Sequence, residues 1–369
     1  MRRISKPVAR ATTIGFYLDD EPFEIERTYN GFVRGMKECI DRGGTHAAVE
    51  VTSEALALSF AVAWRFKVGV FTNLSHDHLD AHKSFEHYLA SKAQLFMRLP
   101  PGGTAVLNAS DPVFDLLREV TPAHATLLTY AVPSRGAPKG EPDLVATSVE
   151  CTWSGTRISL DVKDPASGLP RELTVRGIGT VYAENALAAL LGATAAGVPP
   201  IEAAEAIGAA PPPEGRFEVI HTKPYVVVDY AHSPDALERT VAIARDLAKG
   251  VRLFTVFGAG GNRDKDKRGP MGAAARSSDV VILTTDNPRD EDPAVIAAAL
   301  AKGLEGHAGV QRELDRTKAI ERAILEAADD DVVLIAGKGH ETTQTIGKET
   351  RHFSDVEVAR AAIARREAR

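Results

Sequence analysis

The chain has 369 residues, is 44% hydrophobic and 25% charged, and carries a formal net charge of −6. That length exceeds one ordinary hydrophobic core and implies two domains, while the acidic balance argues against a general nucleic-acid footprint. Two cysteines, Cys39 and Cys151, are too few for a disulfide framework, the basic start lacks an apolar signal core, and no uncharged apolar run is long enough to span a membrane. A cytoplasmic, monomeric protein acting on small molecules, with neither nucleic acid nor membrane as partner, is the expectation.

Ala9 to Leu18 reads as one strand, followed by a helix from about Asn30 to Arg42 that Gly43 and Gly44 close. A strand over His46 to Val51 places Glu50 at its end, and Val68 to Phe71 reads as a buried strand ending at Thr72 and Asn73. A polar turn with His76, Asp77, His78, Asp80 and His82 follows, then a helix from near Ser84 that carries Lys92. Strand ends of open parallel sheets gather ligands, and Glu50 and His78 are candidates to share one divalent cation. Mg²⁺ prefers oxygen donors and few protein groups, so chemistry alone leaves the metal open.

Thr104 to Leu107 is a further strand, and a short helix begins at Asp111. From Asp143 to Arg176 short alternating runs suggest appended antiparallel strands. Helices return over Val181 to Ala196 and Ile201 to Ala209. Pro211, Pro212, Pro213 and Gly215 are the strongest punctuation, which divides the chain into 1–212 and 213–369. Beyond it, strands over Tyr225 to Val228, Val251 to Phe257, Val280 to Leu283 and Val332 to Ala336 alternate with helices, the last starting at Ser354. The fold class is α/β: an incomplete ATPase-type first domain with parallel units, then a Rossmann-like second domain.

FTNLSHDHLDAH with HYLASKAQLF, then ENALAAL, EGRFE, VDYAHSPDAL, GAGGNRDKDKRG, TTDNPRDEDP and GKGHETTQ, occur in that order. Together they resemble the Mur ligases, of the MurE type, over nearly the whole chain. The resemblance implies ADP-forming amide synthesis through an acyl phosphate, with ATP as substrate and Mg²⁺ as cofactor. It implies Glu50, His78 and a carbamylated Lys92 as metal ligands, with Lys92 and His78 in catalysis. A carbamate converts the lysine cation into an anion able to join a metal site.

By the same resemblance Asn185, Arg216 and Asp229 contact the nucleotide. Arg263, Asp286, Asn287, Pro288, Arg289, Gly337 and Glu341 match a diaminopimelate-binding set. An arginine can grip a carboxylate through two parallel hydrogen bonds, and a glutamate can meet the ammonium of a diamino diacid. Thr28 and Thr52 match contacts to the muramoyl peptide. That last site departs most: Leu58 and Phe60 stand where polar residues are usual, Glu54 where a histidine is common, Arg27 where a second threonine is expected, and Tyr182 in place of an asparagine near the adenine.

The sequence contains no G-x-x-x-x-G-K-[ST] loop, whose backbone N–H groups and lysine would cradle the phosphates. The chain thus resembles a Mur ligase without its front, through loss of the beginning, a mis-assigned start or a degenerate paralogue, and alone it is expected to lack ligase activity. The leading expectation is ligation of an amino acid, meso-2,6-diaminopimelate, to a UDP-muramoyl peptide in peptidoglycan precursor synthesis. The alternatives are a related amide ligase with a different acceptor and a non-catalytic binding protein that keeps the amino-acid pocket.

Overall fold

The computed structural model describes residues 1–74, 82, 84–133 and 136–368. The expected ligand turn with His76, Asp77, His78 and Asp80 lies outside the described residues. Two compact units divide the chain: 1–150, 156–175 and 180–210 form the first, and 151–155, 176–179 and 211–369 the second. A single cut at 212 therefore misses two short excursions. The reason for one is local: Trp153 stacks on Tyr225 with ring centroids 3.9 Å apart and 8° between planes.

In the first unit the expected strand from Ala9 to Leu18 is two antiparallel strands, β1 (Val8–Ala11) and β2 (Phe16–Leu18). Thr12 turns the chain between them, its N–H donating to the Gly15 carbonyl at 2.9 Å. After β3 (Glu21–Pro22), helix α1 (Tyr29–Asp41) begins at Thr28, whose hydroxyl accepts the Gly31 N–H at 3.1 Å. Such a cap satisfies one of the helix's orphan donors and contributes about 1 kcal/mol. Strand β4 (His46–Val49) follows and pairs in parallel with β1. Two short helices, α2 (Ser53–Ala57) and α3 (Phe60–Ala63), lead to β5 (Val68–Val70).

Helix α4 (Phe85–Met97) starts at the Ser84 cap. Strand β6 (Thr104–Asn108), helix α5 (Phe114–Val120) and strand β7 (Thr126–Ala131) continue the parallel alternation. Strands β8 (Leu144–Thr152), β9 (Gly155–Val162) and β10 (Glu172–Val175) extend the sheet, and helices α6 (Thr180–Ala195) and α7 (Pro200–Ala209) close the unit. The strands form two sheets, ordered β3-β2-β1-β4 and β10-β9-β8-β7-β6-β5. Every residue of β6 is buried, as a central parallel strand covered on both faces requires.

The second unit opens with β11 (Glu218–Thr222), antiparallel to β12 (Tyr225–Asp229). Helix α8 (Pro234–Ala248), β13 (Leu253–Phe257), α9 (Arg268–Ala274), β14 (Val280–Leu283), α10 (Pro293–Lys302), β15 (Val310–Arg312), α11 (Arg316–Glu326) and β16 (Val332–Ala336) follow. A hairpin, β17 (Thr343–Ile346) and β18 (Glu349–His352), precedes α12 (Asp355–Glu367). The main sheet runs β11-β12-β16-β13-β14-β15 and is parallel from β12 onward. Strands β13 and β16 are buried at every position. Each fully buried Val, Leu or Phe there contributes about 1.5–3 kcal/mol over exposure. No described helix is long and apolar enough to cross a membrane.

Candidate functional site

In the second unit the motif residues meet at the carboxyl ends of four neighbouring strands, β12, β16, β13 and β14. That edge is where open parallel sheets expose loop backbone and bind ligands. The Gly-rich loop after β13 and the Asp286–Arg289 run after β14 are tied together: the Gly261 N–H donates to the Asn287 carbonyl at 2.9 Å, and Arg289 Nη1 donates to the Gly261 carbonyl at 2.7 Å. A Cβ placed on Gly260 would lie 3.2 Å from Arg289 Nη1 and 3.7 Å from Arg263 Cγ. Both arginines thus flank one glycine.

Arg289 adopts a left-handed backbone, φ 50°, which non-glycine residues enter only when held there. The hairpin holds it: its N–H donates to the Thr345 carbonyl at 3.2 Å, and its carbonyl accepts from the Gly347 N–H at 2.7 Å. Asn287 bridges two elements, accepting the Thr345 N–H at 2.9 Å and donating to Glu341 Oε2 at 3.3 Å. Asp286 is buried, and Gly337 sits against it; a Cβ on Gly337 would lie 2.7 Å from Asp286 Oδ2. Pro288 is buried, and a Cβ on Gly261 would lie 1.9 Å from its carbonyl oxygen.

Two residues in this cluster were not among the expected set. Lys338 is fully buried, with its ammonium 3.2 Å from Glu341 Oε2 and 3.4 Å from Asn287 Oδ1. Glu341 therefore already faces a cation. Arg268, 2% exposed, makes a two-armed pair with Glu291, both contacts at 3.0 Å. Those bonds, with the Asn262 N–H, push Glu291 down to about 2. Asp290 bonds Asn262, Glu291 bonds Arg268, and the Arg289 side chain donates to backbone carbonyls instead. Both newly found cations lie inside the GKGHE and DKDKRG blocks, and burial alone separates them from the lysines and arginines around them.

The nucleotide set behaves differently. Arg216 lies over the Tyr230 ring, 4.5 Å from its centroid. Tyr230 in turn packs near His232 and His340, at 4.6 and 5.0 Å between centroids. Asp229 is buried, and its oxygens accept from Phe217 N–H at 2.7 Å, Ala231 N–H at 2.8 Å and Thr240 Oγ1 at 3.1 Å. Its carboxylate is engaged in shaping the loops. Gly215 fits only as glycine: φ is 65°, and a Cβ would meet His340 N at 2.2 Å. Asn185 is exposed, within α6 rather than at its cap.

In the first unit Glu50 follows β4 and is exposed; its Oε2 accepts from Thr13 N–H at 2.9 Å and Thr13 Oγ1 at 3.2 Å. Lys92 is half-buried on α4 with its ammonium 5.3 Å from the Tyr88 ring centroid, and burial pushes its pKa down. His78 lies outside the described residues, and among those described no three His, Cys, Asp or Glu side chains group to hold a metal. Glu50 suits Mg²⁺ as an exposed oxygen donor. His82 is buried and bonded to Ser53 Oγ at 2.8 Å and to His87 at 3.1 Å, a structural setting.

Thr28 and Thr52, expected at the muramoyl peptide, are the N-caps of α1 and α2; Thr52 Oγ1 accepts the Ala55 N–H at 3.2 Å. Phe60 packs against Phe32 and Tyr29, at 5.2 and 6.1 Å between centroids, so the aromatic ring there fills a small core. Leu58 is 85% exposed.

The model of the Mur ligase middle domain matches residues 3–193, and that of the Mur ligase glutamate ligase domain matches residues 215–339. The chain belongs to the Mur ligase family. Among its relatives, the UDP-N-acetylmuramoyl-L-alanyl-D-glutamate--2,6-diaminopimelate ligase of Bacillus velezensis is 39% identical over 368 residues, covering 95% of this chain and 71% of that protein. The enzyme of the same name from Synechococcus elongatus is 41% identical over 340 residues, covering 89% of this chain and 64% of that one. A solved structure of a ligase of this name superposes with a TM-score of 0.69 at 30% identity, over 99% of this chain and 74% of the other. A pseudomurein peptide ligase type C from Methanothermus fervidus, at 18% identity and TM-score 0.62, shares the fold. This Mur ligase chain thus spans about two thirds to three quarters of the length of such relatives.

Proposed function

We propose that this chain supplies the amino-acid site and part of the ATPase core of a ligase that joins meso-2,6-diaminopimelate to a UDP-muramoyl peptide, with ATP cleaved to ADP and phosphate. The observation that carries the reading is the charge arrangement at the strand ends: Arg263 and Arg289 flank Gly260, and Asn287 links that loop to Glu341. A diamino diacid needs a cation for its distal carboxylate and an anion for its distal ammonium. Arg289 offers donors in a fixed fork, on a backbone that the hairpin locks. Asp286 and Glu341 supply negative charge, with Lys338 fixing the position of the Glu341 carboxylate.

Mg²⁺, when bound, would neutralise phosphate charge during acyl phosphate formation. Glu50 and His78 are proposed as its protein ligands together with a carbamylated Lys92, while Asn185, Arg216 and Asp229 are proposed to serve the nucleotide. For Asp229 we propose an indirect role, positioning Phe217 and so the neighbouring Arg216. Thr28 and Thr52 are proposed to orient the acceptor pocket through the helices that they cap. No Gly-rich phosphate loop occurs in the sequence, so turnover is expected only when a segment outside this chain supplies one.

Two measurements test the proposal. Calorimetry with meso-2,6-diaminopimelate and with lysine is expected to show binding of the diacid only; equal binding of both would remove Arg289 from the reading. Lys92 meets the requirement of carbamate formation, in which a neutral amine attacks CO₂: burial lowers its pKa, so the neutral amine is reached at lower pH than for a surface lysine. Incubation with ¹³C-bicarbonate is expected to give a carbamate carbon resonance that disappears in K92R. A signal unchanged in K92R would assign the carbamate elsewhere.

A further inference from the structure

Arg316 and Asp355 are the first residues of α11 and α12, and both side chains are fully buried. Helix α11 packs across β13, β14 and β16, with α12 against it. Nε and Nη2 of Arg316 meet the two Asp355 oxygens. The guanidinium also reaches main chain: Nη2 donates to the Ala336 carbonyl at 2.9 Å, and Nη1 to the Thr285 carbonyl at 3.5 Å. Ala336 ends β16, one residue before Gly337, and Thr285 follows β14, one residue before Asp286. Strand β13 lies between those two strands in the sheet. One planar side chain thus spans β13 and joins the roots of the loops that carry Arg289 and Glu341.

The same roots meet at Gly337. A Cβ there would lie 2.7 Å from Asp286 Oδ2 and 3.8 Å from Arg316 Nη2. Burial works against the Arg316 charge, yet Asp355, and after it Asp286 and Glu341, hold its pKa above the usual arginine value. Nearer the loop tips, Asn287 Nδ2 and the Lys338 ammonium reach Glu341 Oε2 at 3.3 and 3.2 Å. A ligand ammonium would compete for that carboxylate, so these outer ties alone do not fix its distance from Arg289. Arg316 lies below them, where no ligand displaces it.

We propose that Arg316 is a positioning residue for stereochemical recognition of the amino acid. By holding the Thr285 and Ala336 carbonyls it sets Arg289 and Glu341 at the separation of a carboxylate and an ammonium on one carbon. The proposal rests on the ligase reading above. Two charges fixed relative to each other, with the ligand's carbon chain as a third direction, tell the two arrangements at that carbon apart. Two charges free to shift accept either. The width of the guanidinium fork makes the role specific to arginine, since a lysine ammonium is a point donor on a flexible stem.

Calorimetry with meso- and LL-diaminopimelate, which differ at one carbon, tests this on the parent, R316K and R316M/D355L. The double variant removes the carbonyl donors while replacing the charge pair by apolar side chains, a change that keeps most of the stability. The parent is expected to favour the meso isomer by about tenfold or more, and both variants to narrow the gap to about threefold or less. Lost stability alone would weaken both isomers alike, so an unchanged ratio in the folded variants overturns the proposal. Equal binding of the isomers by the parent does so too. Should the double variant fail to fold, R316K supplies the ratio. A second measurement needs no ligand: relative to the amides of β13, those of Arg289 and Glu341 are expected to exchange hydrogen about tenfold faster in R316K. If the parent binds neither isomer, the ligase reading falls and exchange alone decides for Arg316; unchanged protection then overturns its positioning role.

Discussion

Arg289→Ala is expected to lower affinity for meso-2,6-diaminopimelate by about 10- to 100-fold, with little change in unfolding midpoint. Hydrogen bonds to charged groups contribute about 1.5–3 kcal/mol each, which converts to that range. The fold should survive because Arg289 is anchored by its backbone, through Thr345 and Gly347, and its side chain makes one short bond, from Nη1 to the Gly261 carbonyl at 2.7 Å. A guanidinium has five N–H donors, so others remain for a ligand. R289K should fall between the two, since it keeps the charge and loses the planar fork. Calorimetry on the three proteins checks this. R289A binding the diacid as tightly as the parent would remove the arginine from recognition.

Breaking the Arg316–Asp355 pair has the largest expected effect on stability. Both side chains are fully buried, with Nε to Oδ1 and Nη2 to Oδ2 each at 2.7 Å. Arg316 also donates to the Ala336 carbonyl at 2.9 Å, the last residue of β16 before Gly337. Removing one partner strands a charge without water, which costs about 3–5 kcal/mol; replacing both by apolar residues of similar volume costs much less. R316M and D355L should each destabilise the second unit by that amount, and the double variant by clearly less. Urea unfolding followed through Trp153, which stacks on Tyr225 in the same unit, reads this in a W64F background. Purely additive losses would refute the stranded-charge account.

Much of the alternation was legible because buried parallel strands are short apolar runs bounded by polar turns. Val332 to Ala336 and Val280 to Leu283 needed nothing else, and Ser84 announced α4 as a cap. β11, β15 and the β17–β18 hairpin were not visible. HAGVQRE around β15 and TTQTIGKETRH across the hairpin have no apolar period, and pairing with a neighbour decides their conformation. The split at Thr12 depended on a hydroxyl turn that a window average hides. At the candidate site, motif matching proposes Arg289 and Glu341, but their relation to Lys338 required burial to be known. The resemblance alone proposes Thr28 and Thr52 as substrate contacts; that their hydroxyls also cap α1 and α2 depends on where those helices start, which the motifs do not show. Arg316 and Asp355 are far apart in sequence, and no local pattern joins them.

The buried ammonium of Lys338 alters the electrical character of the strand ends that carry Arg289 and Glu341. Arg263, Arg289 and Lys338 against Asp286 and Glu341 leave a surplus of one positive charge at the strand ends, while Arg268 and Glu291 cancel. Diaminopimelate at neutral pH carries two charges of each sign and enters such a field at little net cost. Lysine lacks the second carboxylate, so its net charge is about +1, and such a field would repel it before any contact is made. Discrimination between the two amino acids would then begin as a long-range effect, strongest in dilute buffer and fading as added salt shortens the reach of the field.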